Sequence, residues 1–313
     1  MLTNSIILVG VIAVAVALAW AIVRARRLRP LARWATYVGG GVFALIFMFL
    51  SGAGMRGMGL VYMKRGRPVR DLHVQLTPER IARGQHVAQW CAQCHTLNGQ
   101  LPLSGGKNLS DEAHMPLGDL YTINLTPAGP LQSWTDGEIF RAVRDGADKD
   151  GKRLLVMSAQ RLRNLSDEDL MSVIAYLRSQ PPVQNPTPPE RPSFLTVAMA
   201  GANMLPILPD MAPETIAAIP PSTTKEYGAY MVGWMGCKEC HGEQLQGGGG
   251  GVIPKGPNLR SVKGWTRDQF IAAMRTGRTP YKTLDSLMMP WPYVGRFTDD
   301  ELTALHAYLT SLN

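Results

Sequence analysis

Two pentapeptides in this chain place a histidine directly after a pair of cysteines: Cys-Ala-Gln-Cys-His at residues 91–95 and Cys-Lys-Glu-Cys-His at residues 237–241. Together they use all four cysteines of the 313-residue sequence. The C-x-x-C-H spacing is typical of covalent haem attachment, in which the thiols form thioethers with the haem vinyl groups and the histidine ligates the iron. We therefore expect two covalently bound haem c groups. The attachment residues would be Cys91, Cys94, Cys237 and Cys240, and the proximal iron ligands His95 and His241.

A pair of cysteines two residues apart has other common uses. It forms half of a zinc site, or it works as a thioredoxin-like redox pair. Neither use explains a histidine directly after both pairs, and a zinc site would draw its ligands from two pairs close together. The haem interpretation accounts for all six residues at once.

The first 70 residues differ from the rest of the chain because they carry long apolar stretches. Ile6 to Val23 is an unbroken apolar run of 18 residues, and Trp34 to Met55 is an uncharged run of 22. Each run is long enough to cross the hydrocarbon core of a bilayer as a helix. A cleaved signal peptide would carry positive charge ahead of the first run, and Met1 to Ser5 has none. We expect residues 1–70 to form a membrane anchor of two helices.

The distribution of basic residues predicts the orientation of this anchor. The loop between the two runs holds Arg24, Arg26, Arg27, Arg29 and Arg33. By the positive-inside rule this short loop is cytoplasmic, and the second helix returns the chain to the outer face. The segment after the second run is equally basic, with Arg56, Lys64, Arg65, Arg67 and Arg70. Since haem is attached outside the cytoplasm, we expect a multi-pass protein of the cytoplasmic (inner) membrane with both haem sites on the periplasmic side.

The net charge of +8 also comes from the N-terminal part. Residues 1–70 hold ten Lys and Arg residues and no Asp or Glu, whereas residues 71–313 hold 22 basic and 24 acidic residues, a net charge of −2. The basic residues flank the apolar runs, where anionic lipid headgroups are their expected partners. The charge distribution predicts a membrane partner and no nucleic acid.

The two C-x-x-C-H sites belong to two copies of one longer unit. After each site come an Asn-Leu pair, a helix pattern from Trp-Thr to Gly, and a terminal helix that opens with Ser or Thr before acidic residues. These features lie at Asn124, Trp134 to Gly146 and Leu165 to Leu177 in the first copy, and at Asn258, Trp265 to Gly277 and Phe297 to Leu309 in the second. Threonine or serine before a helix and glycine after it are typical caps. The repeat predicts duplicated, mainly helical domains at residues 75–182 and 222–313.

A proline-rich connector, residues 183–221, is expected between the two domains. Residues 181–221 hold 11 of the 23 prolines, which excludes a continuous helix and indicates an extended, semi-rigid chain. Within it, Ser193 to Leu208 is an uncharged stretch of 16 residues that contains Gly201 and Pro206. That length is short for a membrane span. We expect the stretch to lie on the first domain, on a partner or on the bilayer surface, and not to form a third span.

The repeat also selects candidate sixth ligands of the irons among the 16 methionines. Methionine is a common second axial ligand of c-type haem because it raises the reduction potential. Met157 lies eight residues before Leu165, and Met289 lies eight before Phe297, so these two methionines share one register of the repeat. We predict both as iron ligands.

Other residues compete for this role. Met288 lies one residue out of register and is the main competitor of Met289. Met115 is a loop alternative in the first domain, and His114 is the histidine to suspect if Met157 is not a ligand.

Two tryptophans and two histidines complete the set of candidates. Trp134 and Trp265 open helices near the haem-binding loops, where each either hydrogen-bonds a haem propionate or packs in the core. His86 is expected to be a half-buried or surface histidine of the first helix, and His306 an exposed histidine of the last.

Both units resemble class I cytochrome c domains, in which an N-terminal helix carrying glycine crosses a C-terminal helix carrying an aromatic residue. Gly84 with Tyr176, and Gly228 with Tyr308, fit that crossing. The resemblance implies two tandem class I cytochrome c domains. Together with the two N-terminal transmembrane helices expected from the apolar runs, the predicted fold is mainly α.

The haem-binding loop carries the same resemblance. The stretch from Gly256 through Pro257 to Leu259 is similar to the family's loop, in which the proline carbonyl accepts the ring N–H of the proximal histidine. The first unit departs from this pattern, with Ile123 where the second has Pro257. The resemblance implies that Pro257 belongs to the cofactor-binding residues.

The stretch from Leu117 to Pro127 is similar to the cytochrome subunits of membrane-bound alcohol and aldehyde dehydrogenases. Those subunits typically carry three such domains and no paired N-terminal helices. The resemblance implies single-electron transfer without independent catalysis. Expected partners are redox proteins: a membrane electron-transfer complex of respiration or photosynthesis, a dehydrogenase, an oxidase or a soluble cytochrome. The alternative is a dihaem redox enzyme such as a peroxidase, which needs an open sixth position on one iron.

Overall fold

The structure, a computed structural model, describes residues 1–205, 207, 212–248 and 255–312. Pro206 and Leu208, at the end of the uncharged stretch, therefore lie outside the described residues, as do parts of the predicted connector and of the predicted second domain. The described chain is mainly helical. Two short strands, β1 (Gly118–Asp119) and β2 (Arg191–Pro192), pair antiparallel.

The helices follow one another along the whole chain. In order they are α1 (Leu2–Arg24), α2 (Pro30–Ala35), α3 (Gly41–Tyr62), α4 (Pro78–Ala88), α5 (Ala92–His95), α6 (Leu109–Glu112), α7 (Asp136–Asp145), α8 (Asp167–Ser179), α9 (Phe194–Gly201), α10 (Lys225–Met235), α11 (Cys237–His241), α12 (Arg267–Thr276), α13 (Trp291–Val294) and α14 (Asp299–Ser311). Short 3₁₀ turns lie at Ala25–Arg27, Pro130–Ser133, Met157–Ala159, Arg161–Asn164 and Leu259–Gly264.

The chain divides into two compact units that interleave along the sequence. Unit 1 comprises Met1–Arg65, Asn108–Tyr121 and Pro188–Ile207, and unit 2 comprises Gly66–Lys107, Thr122–Thr187 and Leu208–Asn313. Unit 1 contains both apolar runs. Unit 2 contains both C-x-x-C-H motifs.

In unit 1, both apolar runs are helical. α1 covers the first, and α2, a π-helical turn and α3 form one continuous helical stretch from Pro30 to Tyr62 over the second. Each stretch is long and apolar enough to cross a membrane, a property shared by membrane anchors and signal sequences. The amide of Asn4, near the start of α1, donates to the hydroxyl of Tyr62, at the end of α3, at 2.8 Å. The two stretches therefore run antiparallel.

The uncharged stretch after residue 193 forms α9, which packs against α3 within unit 1. A Cβ atom on Gly57 of α3 or on Gly201 of α9 would overlap the backbone of the facing helix, so both glycines permit this close approach. The N–H of Ser193, which caps α9, donates to the carbonyl of Leu117 at 2.8 Å. The stretch thus contacts the residue range predicted for the first domain, as expected. It also contacts the second apolar helix, which the sequence did not indicate.

In unit 2, one set of helices occurs twice. We call α4, α5, α7 and α8 the first repeat, and α10, α11, α12 and α14 the second repeat. The predicted N-caps are confirmed at Thr135, Ser166, Thr266 and Thr298, whose side chains each accept the backbone N–H three residues on. α7 and α12 end at Gly146 and Gly277 with φ of 64° and 71°, a left-handed conformation that favours glycine.

The helix crossing expected from the family resemblance is present in both repeats. α4 packs on α8 and α10 packs on α14. A Cβ atom on Gly84 would overlap the carbonyl of Ser172 beside Tyr176, and one on Gly228 would overlap the carbonyl of Ala304 beside Tyr308. The missing side chain lets each pair of helices touch backbone to backbone. The buried apolar residues of both repeats then join into one continuous core.

Candidate functional site

Each C-x-x-C-H motif forms a short helix directly after the first helix of its repeat. In the first repeat the N–H of His95 donates to the carbonyl of Cys91 at 2.9 Å, which closes one helical turn. This turn ends at Thr96, whose hydroxyl donates to the carbonyl of Ala92 at 2.8 Å. In the second repeat Gly236, with φ of 75°, ends α10 and starts α11 at once. Both cysteines and the histidine of each motif therefore lie on one turn.

A backbone carbonyl holds the ring of each motif histidine. Nδ1 of His95 lies 3.0 Å from the carbonyl oxygen of Ile123, and Nδ1 of His241 lies 2.7 Å from that of Pro257. Burial lowers the pKa of both rings, although the carbonyl bond opposes this change, so both are neutral at neutral pH. A neutral ring that donates from Nδ1 keeps the lone pair of Nε2 for a metal.

The loops that carry these carbonyls are built alike. The N–H of Leu125, two residues after Ile123, donates to the carbonyl of Leu103 at 2.9 Å, and the N–H of Leu259, two after Pro257, donates to that of Leu245 at 2.9 Å. The acceptor belongs to the backbone, so the side chain at this position does not affect the bond. Ile123 therefore serves the first repeat as Pro257 serves the second.

Glycine brings the second loop close to the histidine. A Cβ atom on Gly256 would lie 2.6 Å from Nδ1 of His241, so any other residue would push the loop away from the ring. Its N–H donates to the carbonyl of Cys240 at 2.7 Å, which binds the loop to the motif itself. The loop therefore lies directly against the ring of His241 and is hydrogen-bonded to the motif that carries it.

The two candidate methionines follow loops of the same construction. After each left-handed glycine the chain makes a short antiparallel bridge, Ala147 with Arg153 and Arg278 with Thr283. The next residue then bonds back to the glycine carbonyl: Leu154 N–H to Gly146 at 2.8 Å, and Leu284 N–H to Gly277 at 2.7 Å. Met157 and Met289 come shortly after, half-buried and packed against the core. Met288, in contrast, is 54% exposed.

The alternatives in the first domain lie in unit 1. His114 is exposed at the turn after α6, with φ of 49°, and Met115 is half-buried beside it. The N–H of Met115 donates to the carbonyl of Ser110 at 3.3 Å. Both residues therefore belong to the segment Asn108–Tyr121 and not to the loop that carries Met157.

The two candidate tryptophans differ in their surroundings. Trp134 is 9% exposed and is part of the core, which is one of its two expected roles. Trp265 is half-buried, and its Nε1 is buried without a hydrogen-bond partner among the described residues. A buried N–H without a protein partner needs another acceptor, which water or a bound group can supply.

The two remaining histidines have partners that the sequence did not indicate. His86 is half-buried on α4, as expected, but its Nε2 lies 2.6 Å from Oε2 of Glu301, and its ring meets Phe297 edge-on at 5.3 Å. The expectation for His306 was wrong. It is half-buried, not exposed, with Nε2 3.0 Å from the carbonyl oxygen of Trp265. Both partners are distant in sequence, so no local pattern revealed them.

The cysteines do not have the properties of a redox pair or a zinc site. Burial raises the pKa of Cys91 and of Cys237 to about 12, whereas redox-active thiols have a lowered pKa. In the part of the chain that the structure describes, no three His, Cys, Asp or Glu side chains converge as a metal site.

Comparison with known proteins identifies the families that the two repeats match. The family described as cytochrome c matches residues 226–313, and the family described as cytochrome c oxidase, cbb3-type, subunit III, matches residues 79–177. The chain carries cytochrome c domains. These domains imply covalently bound haem c, and the resemblance to cytochrome c is confirmed.

Three relatives show the wider homology. A nicotinate dehydrogenase subunit of Pseudomonas putida is 29% identical, over 73% of this chain and 21% of its own length. The cytochrome c subunit of alcohol dehydrogenase (quinone) of Gluconacetobacter polyoxogenes is 27% identical, over 74% of this chain and 56% of its own length. The gluconate 2-dehydrogenase cytochrome c subunit of Pantoea cypripedii is 24% identical, over 74% and 59%. The chain thus spans between 21% and 59% of these relatives.

Proposed function

We propose that the chain is a membrane-anchored dihaem cytochrome c that transfers single electrons. It would consist of a two-helix anchor (1–70), two tandem class I cytochrome c domains (75–182 and 222–313) and a proline-rich connector (183–221). The observation that supports this proposal most directly is that Nδ1 of each motif histidine bonds to a backbone carbonyl. One Nε2 in each repeat is then left to ligate a metal.

In this proposal each repeat holds one haem c. Haem c, when bound, supplies the reversible one-electron change of its iron. Cys91 and Cys94 would bond the first haem covalently, Cys237 and Cys240 would bond the second, and His95 and His241 would present Nε2 to the two irons. The buried, neutral rings cannot take up a proton readily, which keeps their lone pairs available over the physiological pH range.

Met157 and Met289 would supply the sixth ligands. Three features support them: a shared register, loops of the same hydrogen-bonded construction, and half-burial against the core. Met288 is 54% exposed, which favours Met289 as the ligand in the second repeat. With both sixth positions filled, the residues would tune potential and exclude water and would not bind substrate. Trp265 would donate its unpaired N–H to a haem propionate.

The apolar helices would anchor the chain in the cytoplasmic membrane with the cytochrome domains on the periplasmic side. The antiparallel arrangement brings the start of α1 and the end of α3 to one side, joined by the bond from Asn4 to Tyr62. The arginines between the two stretches would face the cytoplasm. Many large apolar side chains of both stretches are exposed, as expected of a surface in contact with lipid.

The partners would be redox proteins of a membrane complex. The relatives' names place two of them as cytochrome c subunits of an alcohol and a gluconate dehydrogenase. This chain would accept electrons from a dehydrogenase subunit of such a complex and pass them on.

Haem content and ligation test the proposal. Purified protein should carry two covalent haems per chain by pyridine haemochrome assay, and replacing both cysteines of either motif with alanine should remove one of them. Both haems should be low-spin, with the weak long-wavelength charge-transfer band of His/Met ligation. Met157→Ala and Met289→Ala should each remove half of that band, while Met288→Ala leaves it intact. One haem per chain, or a high-spin haem that binds peroxide readily, would contradict the electron-carrier function.

A further inference from the structure

Equivalent residues of the two repeats face each other within unit 2. Trp90 lies six residues after Gly84, and Trp234 lies six residues after Gly228. Their rings meet edge-on, with centroids 6.2 Å apart and planes at 87°. A residue that touches its own equivalent marks the axis of a two-fold, self-complementary interface.

The polar contacts around this axis occur in reciprocal pairs. His86 and Tyr230 each lie two residues after the crossing glycine, and Asp169 and Glu301 are each the third residue of the last helix. Nε2 of His86 lies 2.6 Å from Oε2 of Glu301, and the hydroxyl of Tyr230 donates to Oδ2 of Asp169 at 2.6 Å. Each repeat thus extends a ring from its first helix to the carboxylate of the other repeat.

A second reciprocal pair lies further from the axis. Asn164 and Arg296 are equivalent, each seven residues after its candidate methionine. The amide of Asn164 donates to the carbonyl of Gly233 at 3.1 Å, and Nη1 of Arg296 donates to Oε1 of Gln89 at 3.2 Å. Gln89 and Gly233 are themselves equivalent, since they directly precede Trp90 and Trp234.

Arg83 joins the two carboxylates at the centre. Its guanidinium binds Asp169 through two nitrogens, at 2.7 and 3.1 Å, and reaches Oε1 of Glu301 at 3.2 Å. It also donates to the hydroxyl of Tyr227 at 3.0 Å. Asp169 is 7% exposed and Glu301 is 3% exposed, so these charge-assisted bonds are shielded from water. Removing one partner would leave an uncompensated buried charge.

The same interface is built from the segments that would hold the haems. Trp90 is directly bonded to Cys91 in the chain. Arg161, four residues after Met157, pairs with Glu239 between the cysteines of the other motif. Tyr293, four residues after Met289, lies with its hydroxyl against Gly99, just after the first motif. Each candidate methionine loop therefore contacts the attachment segment of the other repeat.

We infer that the two repeats form a pseudo-two-fold pair that holds the two haems close enough for electrons to pass between them inside one chain. The positioning residues of this pair are Asp169, Glu301, His86, Tyr230 and Arg83. This inference rests on the proposed function, and it concerns a property that two independent haem domains on a flexible connector would lack. Electron tunnelling falls steeply with distance, so a fixed interface between the attachment segments determines the rate. The donor and acceptor are the two irons, one oxidised as the other is reduced.

The test compares two double variants of the full-length holoprotein in detergent. Asp169→Asn with Glu301→Gln removes both central charges. The matched control, Glu168→Gln with Asp300→Asn, makes the same change at the preceding, exposed residues of the same helices. Two haems at a fixed short distance give a two-signed circular dichroism band in the Soret region. Electron exchange between them after flash reduction is independent of protein concentration.

The central variant should keep two covalent haems with their individual spectra, lose the two-signed band and slow the exchange several-fold, while the control matches wild type. Tyr230→Phe removes a single oxygen from the network and should weaken the band without loss of folding, which keeps the test open if the double variant does not fold. An unchanged band and rate in Tyr230→Phe and the central variant would overturn the inference. Two reducible haems without the band in wild type would overturn it as well. Fewer than two haems in wild type would instead overturn the proposed function.

Discussion

In the first repeat Arg144 donates to Asp167 at 2.8 Å, and at the equivalent place in the second repeat Arg275 donates to Asp299 at 2.8 Å. The arginine side chain is 2% exposed in the first repeat and 39% in the second, and the carboxylate 19% and 72%. The two ion pairs have the same length but differ in their exposure to solvent. An ion pair in water contributes little to stability, whereas loss of one partner of a buried pair is costly.

The difference arises because other segments of unit 2 cover the first repeat. The side chain of Arg70 binds Asp167 at 3.1 Å, and the N–H of Ile216 donates to the same carboxylate at 3.0 Å. The N–H of Val74 donates to Asp136 at 2.9 Å. The chain before α4 and the chain before α10 thus both lie against the first repeat.

The candidate methionine loops show the same contrast. Leu155 and Leu287 each lie two residues before the candidate methionine, yet Leu155 is 5% exposed and Leu287 is 93% exposed. Tyr281, in the same loop of the second repeat, is 81% exposed. The two repeats thus share the backbone around the histidine and the methionine, but only the first repeat has these positions buried. Equivalent side chains should therefore contribute differently to the free energy of unfolding.

The largest expected effect tests the shared ion pair. Asp167→Asn should lower the free energy of unfolding by roughly 3–5 kcal/mol, because it leaves Arg144 charged and buried. Asp299→Asn, the matched control, should cost about 0–1 kcal/mol, because its pair is in water. Guanidinium titration of the holoprotein followed by tryptophan fluorescence measures both. Equal losses would show that the covering of the first repeat adds nothing.

Leu155 and Leu287 test the same difference in burial with a substitution that leaves the charge unchanged. Leu155→Ala should cost about 2–5 kcal/mol, as expected of a buried leucine, through lost burial and the cavity left behind. Leu287→Ala should change stability by less than about 0.5 kcal/mol, because its side chain already lies in solvent. The same titration measures both variants. A large loss in Leu287→Ala would mean that this loop is covered in solution.

At the helix crossings the two repeats have the same packing, so we expect equivalent substitutions to have similar effects on stability. Gly84→Ala and Gly228→Ala should each cost about 1–3 kcal/mol, since the new methyl group meets backbone that cannot move aside. Gly233→Ala is the control: nothing lies within 4 Å of its added Cβ, and alanine should gain about 0.5–1 kcal/mol in a helix. Thermal unfolding monitored by circular dichroism compares the three. A neutral result at only one crossing would show that the crossings differ after all.

The last expected effect concerns stability in acid. Burial alone would raise the pKa of Glu301, but bonds from His86 and from the Thr298 N–H, with the charge of Arg83, lower it to about 2 from an ordinary 4.5. A carboxylate with a lowered pKa contributes stability that is complete above the unfolded-state value and is lost as pH falls toward the folded-state value. Unfolding free energy should therefore drop between about pH 4.5 and 2. Glu301→Gln should flatten this part of the curve in a pH series of titrations. If the variant retains the wild-type slope, Glu301 is not the responsible group.

Local features of this fold were predictable from the sequence. Caps such as Thr135 and Thr298 depend on residues three positions away, and their helices begin where expected. The family resemblance predicted the carbonyl of Pro257 as the acceptor for His241, and the structure shows that the carbonyl of Ile123 has the same role for His95. Ligation by Met157 and Met289 stays a prediction, since register and burial support it without testing it.

The missed features depend on contacts between distant residues. Glu301 lies 215 residues from His86 and 218 from Arg83, so no sequence window contains these pairs. Hydrophobic periodicity also gave no sign of them, because the side chains are polar. The repeat register held a usable signal: bulky polar or aromatic residues flank the crossing glycine in both copies, at 83 and 86 and at 227 and 230.

The contact between α9 and α3 has a consequence for protein engineering. Apolar N-terminal helices are commonly deleted to obtain a soluble form of a protein. Here α9 comes from the middle of the chain, and its buried residues Val197 and Met199 belong to the unit formed with those helices. A shortened protein that begins after residue 65 would therefore carry an unpaired apolar helix and should aggregate. A useful truncation must also replace the apolar side chains of α9.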